Sequence, residues 1–323
     1  MKVFITRKIP EIGIKEIKSR YDVEINYDTK QLKKEELIEG VKGKDGLLCL
    51  LTDEIDSDVI EAGEDLKVIS NFAVGYDNID VQAATEKGII VTNTPGVLTE
   101  TTADLAWALI LAVTRNLVKG DKFVRADKFK GWDPTLMLGH DVHGKTLGII
   151  GMGNIGSAVA RRSVGFEMEV IYHDRDRNED MEEEIGAKFV GLETLLEEAD
   201  IISVHVPLTE ETKGMIGRDE LEMMKDDAYL INTARGEIVD EEALIETLRS
   251  NNIAGAGIDV YADEPYGPNP NYYDLENVVL TPHLGSASYE SRHGMVRLAV
   301  ENLIDALEGR RPKHVVNSKL LNE

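Results

Sequence analysis

The chain has 323 residues, 42% of them hydrophobic, which favours two domains over one and allows substantial cores. Its 36 basic and 60 acidic residues give a formal net charge of −24. Such a surface repels nucleic acid and anionic membranes, so neither is expected as a partner.

In chain order, residues 3–6 read as a strand, and 11–20 as a helix with Ile12, Ile14 and Ile17 among charges. The start MKVFITRKIP lacks the apolar stretch of a secretory signal, and no run approaches the ~18 residues of a membrane span. Residues 23–27 alternate as a strand does, and 46–51 form an apolar strand in which Cys49, the one cysteine, is expected to be buried. A helix at 57–63, a strand at 68–72, a helix at 80–87 and a strand at 89–92 continue a βα rhythm. That rhythm argues for a parallel sheet with helices on both faces.

The rhythm breaks at Thr99, where one long, mostly apolar helix is expected to run to about Arg125. An irregular stretch holding Lys130-Gly131-Trp132-Asp133-Pro134 follows, and βα units resume from Lys145 to about Pro282. The acidic run 179–184 reads as a solvated helix face, and 286–307 as one closing helix. The fold expected is α/β: two Rossmann-like domains with parallel sheets. The dinucleotide domain (99–286) is inserted into a flavodoxin-like substrate domain (1–98 and 287–323). Ser318-Lys319-Leu320 is followed by three more residues and does not read as a peroxisomal address; a cytoplasmic location is expected.

The strand at 146–150 leads into Gly151-Met152-Gly153-Asn154-Ile155-Gly156 and then a helix at 157–165. In that setting Gly151 permits a tight turn, Gly153 lets a pyrophosphate approach the backbone, and Gly156 lets helix pack on strand. The N-terminus of that helix offers unpaired N–H groups to the phosphates, and Asn154 and Ile155 of the turn are further expected cofactor contacts. Asp174 ends the next strand, 18 residues after Gly156. A carboxylate there accepts bonds from a ribose 2′-hydroxyl and repels a 2′-phosphate, so NAD is expected over NADP. Arg175 and Arg177 bear on this, since arginine can clamp a 2′-phosphate.

Three later strands end in polar clusters that deliver Arg235, then Asp259 and Glu264 (in a run closed by Pro265), then His283. Ligands of open parallel sheets bind at the carboxyl ends of the strands. Arginine grips a carboxylate and a carbonyl through its fork of donors. Histidine is the usual proton donor near neutral pH, and a carboxylate beside it stabilises imidazolium. Arg235, Glu264 and His283 are thus the expected catalytic residues for hydride reduction of a 2-keto acid. No metal site is expected.

These blocks, with Ala73-Val74-Gly75-Tyr76-Asp77-Asn78-Ile79-Asp80, Thr94-Pro95-Gly96-Val97-Leu98, the run 200–207, Ile231-Asn232-Thr233-Ala234-Arg235-Gly236 and Thr281-Pro282-His283, give a resemblance over nearly the whole length. The chain resembles the D-2-hydroxyacid dehydrogenases, most closely their glyoxylate and hydroxypyruvate reductases. The resemblance implies that the backbone at Val74 and Gly75 binds the substrate carboxylate and that Leu51 lines the substrate pocket. It places Thr102 near the nicotinamide, Asp259 on the carboxamide, and Val204, His205 and Pro207 beside the adenine. Thr212, Thr233, Ala234 and Gly285 are further cofactor positions. It also implies a homodimer through the inserted domain, with Trp132 lent to the partner's substrate site. A phosphoglycerate dehydrogenase-like activity and a non-enzymatic NAD-sensing module are the alternatives.

Overall fold

The computed structural model describes residues 1–28, 30–264 and 267–321; Pro265, quoted above, lies outside them. The chain forms two compact units, 1–98 with 287–323, and 99–286. The first unit opens with β1 (Lys2–Ile5), α1 (Glu11–Lys18), β2 (Asp22–Ile25), α2 (Lys34–Val41) and β3 (Gly46–Cys49). It continues through α3 (Ser57–Ala62), β4 (Val68–Asn71), α4 (Val81–Glu86) and β5 (Ile90–Thr92). The five strands are parallel in the order β2-β1-β3-β4-β5, the flavodoxin order. β3 and β4 are buried along their whole length, as a sheet covered on both faces requires. Cys49 is fully buried, and burial pushes its thiol up from its usual pKa.

The second unit opens on α5 (Thr99–Thr114) and α6 (Leu117–Arg125). The single helix expected across 99–125 is therefore broken. Asn116 takes the left-handed conformation (φ 52°, ψ 32°) and its amide donates to the Leu138 carbonyl at 3.1 Å. Asparagine is among the few residues that adopt this conformation readily. The sheet runs through β6 (Thr146–Ile150), β7 (Glu169–His173), β8 (Lys188–Phe189), β9 (Ile201–Val204), β10 (Tyr229–Asn232), β11 (Gly255–Ile258) and β12 (Val278–Leu280). Its helices are α7 (Asn154–Ser163), α8 (Glu179–Ile185), α9 (Leu192–Glu198), α10 (Arg218–Met223) and α11 (Glu241–Arg249).

All seven strands are parallel in the order β12-β11-β10-β9-β6-β7-β8, which is the doubly wound dinucleotide order with one strand added at an edge. Alternation along each strand splits the core. Ile150, Ile202, Leu230 and Ile258 pack on one face, and Leu147, Ile149, Ile201 and Ile231 on the other with α5 and α7. Trp107 of α5 fastens that second face: its indole N–H donates to the Val159 carbonyl at 3.0 Å and its ring stacks on Phe166. The acidic run on α8 is mostly exposed, but Glu182 also accepts from the Tyr172 hydroxyl at 2.7 Å.

The chain returns to the first unit with α12 (Tyr289–Leu307), whose first turn is capped by Ser288 rather than starting at 286. The Ser70 hydroxyl donates to the Ala299 carbonyl at 2.9 Å and ties α12 to β4. Among the described residues no helix is long and apolar enough to cross a membrane.

Candidate active site

In the second unit every expected cofactor and catalytic position apart from Thr102 lies at or beyond the carboxyl end of a strand, because the strands are parallel. The turn after β6 is built by its glycines. Gly151 has φ +96°, and a Cβ there would lie 2.8 Å from the His205 carbonyl carbon. A Cβ on Gly156 would lie 2.0 Å from the Gly151 carbonyl oxygen. Gly153 has nothing within 4 Å of where a Cβ would sit, and it precedes α7 without a side-chain cap. Bare helix N–H groups behind an open glycine fit a pyrophosphate. The residues present therefore match a dinucleotide.

Asp174, after β7, is half-buried and fixed. The Met152 N–H donates to its Oδ2 at 2.7 Å and the Arg175 N–H to its Oδ1 at 2.7 Å. Arg177 is held by Glu182 at 2.5 Å and lies over the Phe189 ring. Arg175 is exposed with Asp176 at 3.4 Å. Asn178, missed from the sequence, donates from its amide to the Met152 carbonyl at 2.8 Å and caps α8.

Val204, the last residue of β9, is buried, and Pro207 beyond it is exposed. Burial pushes the His205 imidazole down to about 3, so the ring is neutral, and it pairs with the Ser203 hydroxyl at 2.8 Å. Thr212 is half-buried and closes its own turn by donating to the Pro207 carbonyl at 2.6 Å. After β10, Thr233 is 8% exposed, and its hydroxyl has no partner among the described residues, as a ligand-facing group would.

Asn232, at the end of β10, shapes the turn that carries Arg235. Its side chain accepts from the Ala234 N–H at 3.0 Å and donates to the Arg235 carbonyl at 2.8 Å. A Cβ on Gly236 would lie 1.9 Å from the Tyr261 carbonyl carbon, so this turn is pressed against the loop that bears Glu264. Arg235 is half-buried.

Asp259, Thr281, Gly285 and Thr102 form one buried knot. Asp259 Oδ1 accepts from the Thr281 hydroxyl at 2.6 Å and the Leu284 N–H at 2.7 Å, and its Oδ2 accepts from the Gly285 N–H at 2.8 Å. Thr102 donates to the Gly285 carbonyl at 3.0 Å. Burial raises the Asp259 pKa from its usual value despite these donors. The resemblance gives Asp259 to the cofactor; the structure also makes it the clamp of the His283 loop.

Within that loop His283 has φ +53°, a conformation its surroundings must impose. Its Nδ1 faces Glu264 Oε2 at 2.7 Å, while Glu264 Oε1 accepts from the Tyr261 N–H at 3.0 Å. Nε2 has no partner among the described residues, so the carboxylate and the loop aim one ring nitrogen outward.

In the first unit, Leu51 follows β3 and is half-buried. Its loop is held by Asp53, fully buried, which accepts from Thr6 Oγ1 at 2.5 Å and the Leu50 N–H at 2.7 Å. Val74 and Gly75 follow β4. Their carbonyls accept from the Asn93 amide at 2.7 Å and the Asn71 amide at 2.9 Å, and the Ala73 carbonyl from the Thr94 N–H at 2.8 Å. The N–H groups of Val74 and Gly75 have no acceptor among the described residues. Trp132 is 85% exposed on the second unit.

Residues 107–285 match the family model described as D-isomer specific 2-hydroxyacid dehydrogenase, NAD binding domain. The chain is 52% identical over 324 residues to a glyoxylate reductase of Thermococcus litoralis, covering 99% of this chain and 98% of that one. A solved protein of Thermus thermophilus is 46% identical with a TM-score of 0.92, covering 98% and 100% of the two chains. The NADPH-dependent glyoxylate/hydroxypyruvate reductase of Sinorhizobium meliloti, solved with NADP and malonate, is 30% identical with a TM-score of 0.86, covering 98% and 96%.

Proposed function

Because the chain belongs to the D-isomer specific 2-hydroxyacid dehydrogenases, we propose that it reduces glyoxylate or hydroxypyruvate to the D-2-hydroxy acid. The observation that carries the proposal is the His283–Glu264 pair at 2.7 Å on the edge that also bears Arg235 and the glycine turn. When bound, the nicotinamide dinucleotide supplies the hydride. Gly153 and the N–H groups at Asn154 and Ile155 would hold its pyrophosphate, and Asp174 its ribose. Thr102, Thr233 and Gly285 would contribute further cofactor contacts, Thr102 near the nicotinamide. Arg235 grips the keto acid by its carboxylate and polarises the carbonyl. Negative charge that develops on the carbonyl oxygen is met by a proton from His283 Nε2. Glu264 favours the imidazolium needed for that transfer and fixes the ring's orientation. Val74 and Gly75 offer their free N–H groups to a carboxylate.

A panel of glyoxylate, hydroxypyruvate and phosphohydroxypyruvate, each with NADH and NADPH, tests this reading by loss of nicotinamide absorbance. The first two acids are expected to turn over fastest, with NADH preferred because Arg177 is already neutralised by Glu182. Asp174→Ala is expected to narrow that preference by about tenfold, the value of one charge interaction near 1.4 kcal/mol. Turnover confined to phosphohydroxypyruvate would refute the substrate assignment, and an unchanged cofactor preference the role of Asp174.

The second unit also carries an exposed apolar stretch: Leu117 (64%), Val124 (59%), Phe129 (52%), Trp132 (85%) and Leu138 (72%). α6 buries no residue at all. So much exposed apolar surface on one segment fits a second copy of the chain. Sedimentation is expected to give a dimer that Val124→Glu with Leu138→Glu converts to monomer. A monomeric wild-type protein would dismiss the homodimer and the lending of Trp132 together.

A further inference from the structure

Arg292 lies in the first turns of α12, half-buried, with its guanidinium carbon 6.0 Å from the centre of the Phe72 ring. It has no carboxylate or other hydrogen-bond partner for that guanidinium among the described residues, although the chain carries 60 acidic residues. Burial alone lowers its pKa from the usual value, with no neighbouring anion to offset it. A desolvated cation without a counter-ion is costly unless a ligand completes it. Phe72 stands two residues before Val74 on the same loop, where the N–H groups of Val74 and Gly75 also have no acceptor. The carbonyls of Ala73, Val74 and Gly75 are engaged by Thr94, Asn93 and Asn71, so at Val74 and Gly75 the groups left for a ligand are the N–H donors.

We propose that Arg292 is a substrate-binding residue, which together with the backbone donors of Val74 and Gly75 makes a carboxylate-binding corner on the first unit. The proposal rests on the reductase reading for the identity of the carboxylate, and for the corner on the nearness of Arg292 to Phe72 together with the unpaired donors two and three residues further along the same loop. The Phe72 ring beside the guanidinium carbon is an apolar, π-faced neighbour that takes none of its N–H groups, which leaves that fork for an anion. A 2-keto acid bound there gains a charge-assisted contact present in both ground and transition states. Its loss should therefore act on KM more than on kcat.

The test compares Arg292→Met and Arg292→Lys with the wild type in glyoxylate turnover, and in calorimetric binding of oxalate, a non-reducible dicarboxylate, to the NADH complex. Methionine keeps an apolar stem on Phe72. Arg292→Met is expected to raise the glyoxylate KM and the oxalate Kd by about 10- to 100-fold, as for one lost hydrogen bond to a charged group, with kcat and NADH affinity nearly unchanged. Arg292→Lys is expected to recover most of that loss. Wild-type KM and oxalate affinity in Arg292→Met would overturn the proposal, because the guanidinium would then only stack. Equal losses in both variants with a lowered Tm would overturn it too, as a purely structural role. If the wild type turns over no keto acid yet binds oxalate through Arg292, the corner stands and the reductase reading falls.

Discussion

His283→Ala is expected to lower kcat by about 10²- to 10⁴-fold, the usual contribution of one positioned general acid, while NADH still binds. The imidazole is held by more than its own bond to Glu264. Its backbone N–H donates to the Asp259 carbonyl at 2.9 Å, and the residue keeps φ +53° inside the knot of Asp259, Thr281 and Gly285. Alanine at this site leaves the knot's own hydrogen bonds in place, so the loss falls on proton transfer rather than on folding. The check is steady-state kcat beside NADH titration by fluorescence. Turnover near the wild-type value would remove His283 from the mechanism. A collapse of NADH affinity would mean that the loop, not the imidazole, had been disrupted.

Arg235→Ala is expected to raise KM and lower kcat together, reducing kcat/KM by about 10²- to 10⁴-fold for the loss of two hydrogen bonds to charged or developing-charge oxygens. The split follows from the two tasks assigned to the fork. Its grip on the carboxylate acts in the ground state, whereas its pull on the carbonyl oxygen strengthens as charge develops. Asn232 forms the turn through backbone contacts at residues 234 and 235, so the turn survives removal of the side chain. Arg235→Lys, which keeps charge without the planar fork, is expected to recover KM more than kcat. A change in KM alone would withdraw the carbonyl role.

Features encoded close together in the chain were legible from the sequence. A strand, a glycine turn and a helix occupy residues 146–163, and the turn residues act through backbone conformation within a few positions of themselves. The βα rhythm likewise points to parallel sheets, and parallel strands collect their carboxyl ends on one edge, which is why Arg235, Asp259 and His283 stood out. Other elements escaped. α2 offers only Leu37 and Val41 as buried residues among lysines and glutamates, and no expected element covers it. The break at Asn116 is hidden because apolar residues continue on both sides of it, and only the left-handed backbone angle reveals it.

Residue chemistry and local conformation were thus set by the amino-acid order: which side chains can hold a phosphate, grip a carboxylate or give a proton, and on which strand each is carried. Tertiary structure alone decided their partners. Pairing of β11 with β12 brings Glu264 to His283 across 19 positions, turns the oxygens of Asp259 onto the loop at 281–285, and packing of α12 sets Arg292 on Phe72. Hydrogen bonds and desolvation act over a few ångströms, and distances of that size between residues far apart in the chain exist only once the sheets are formed.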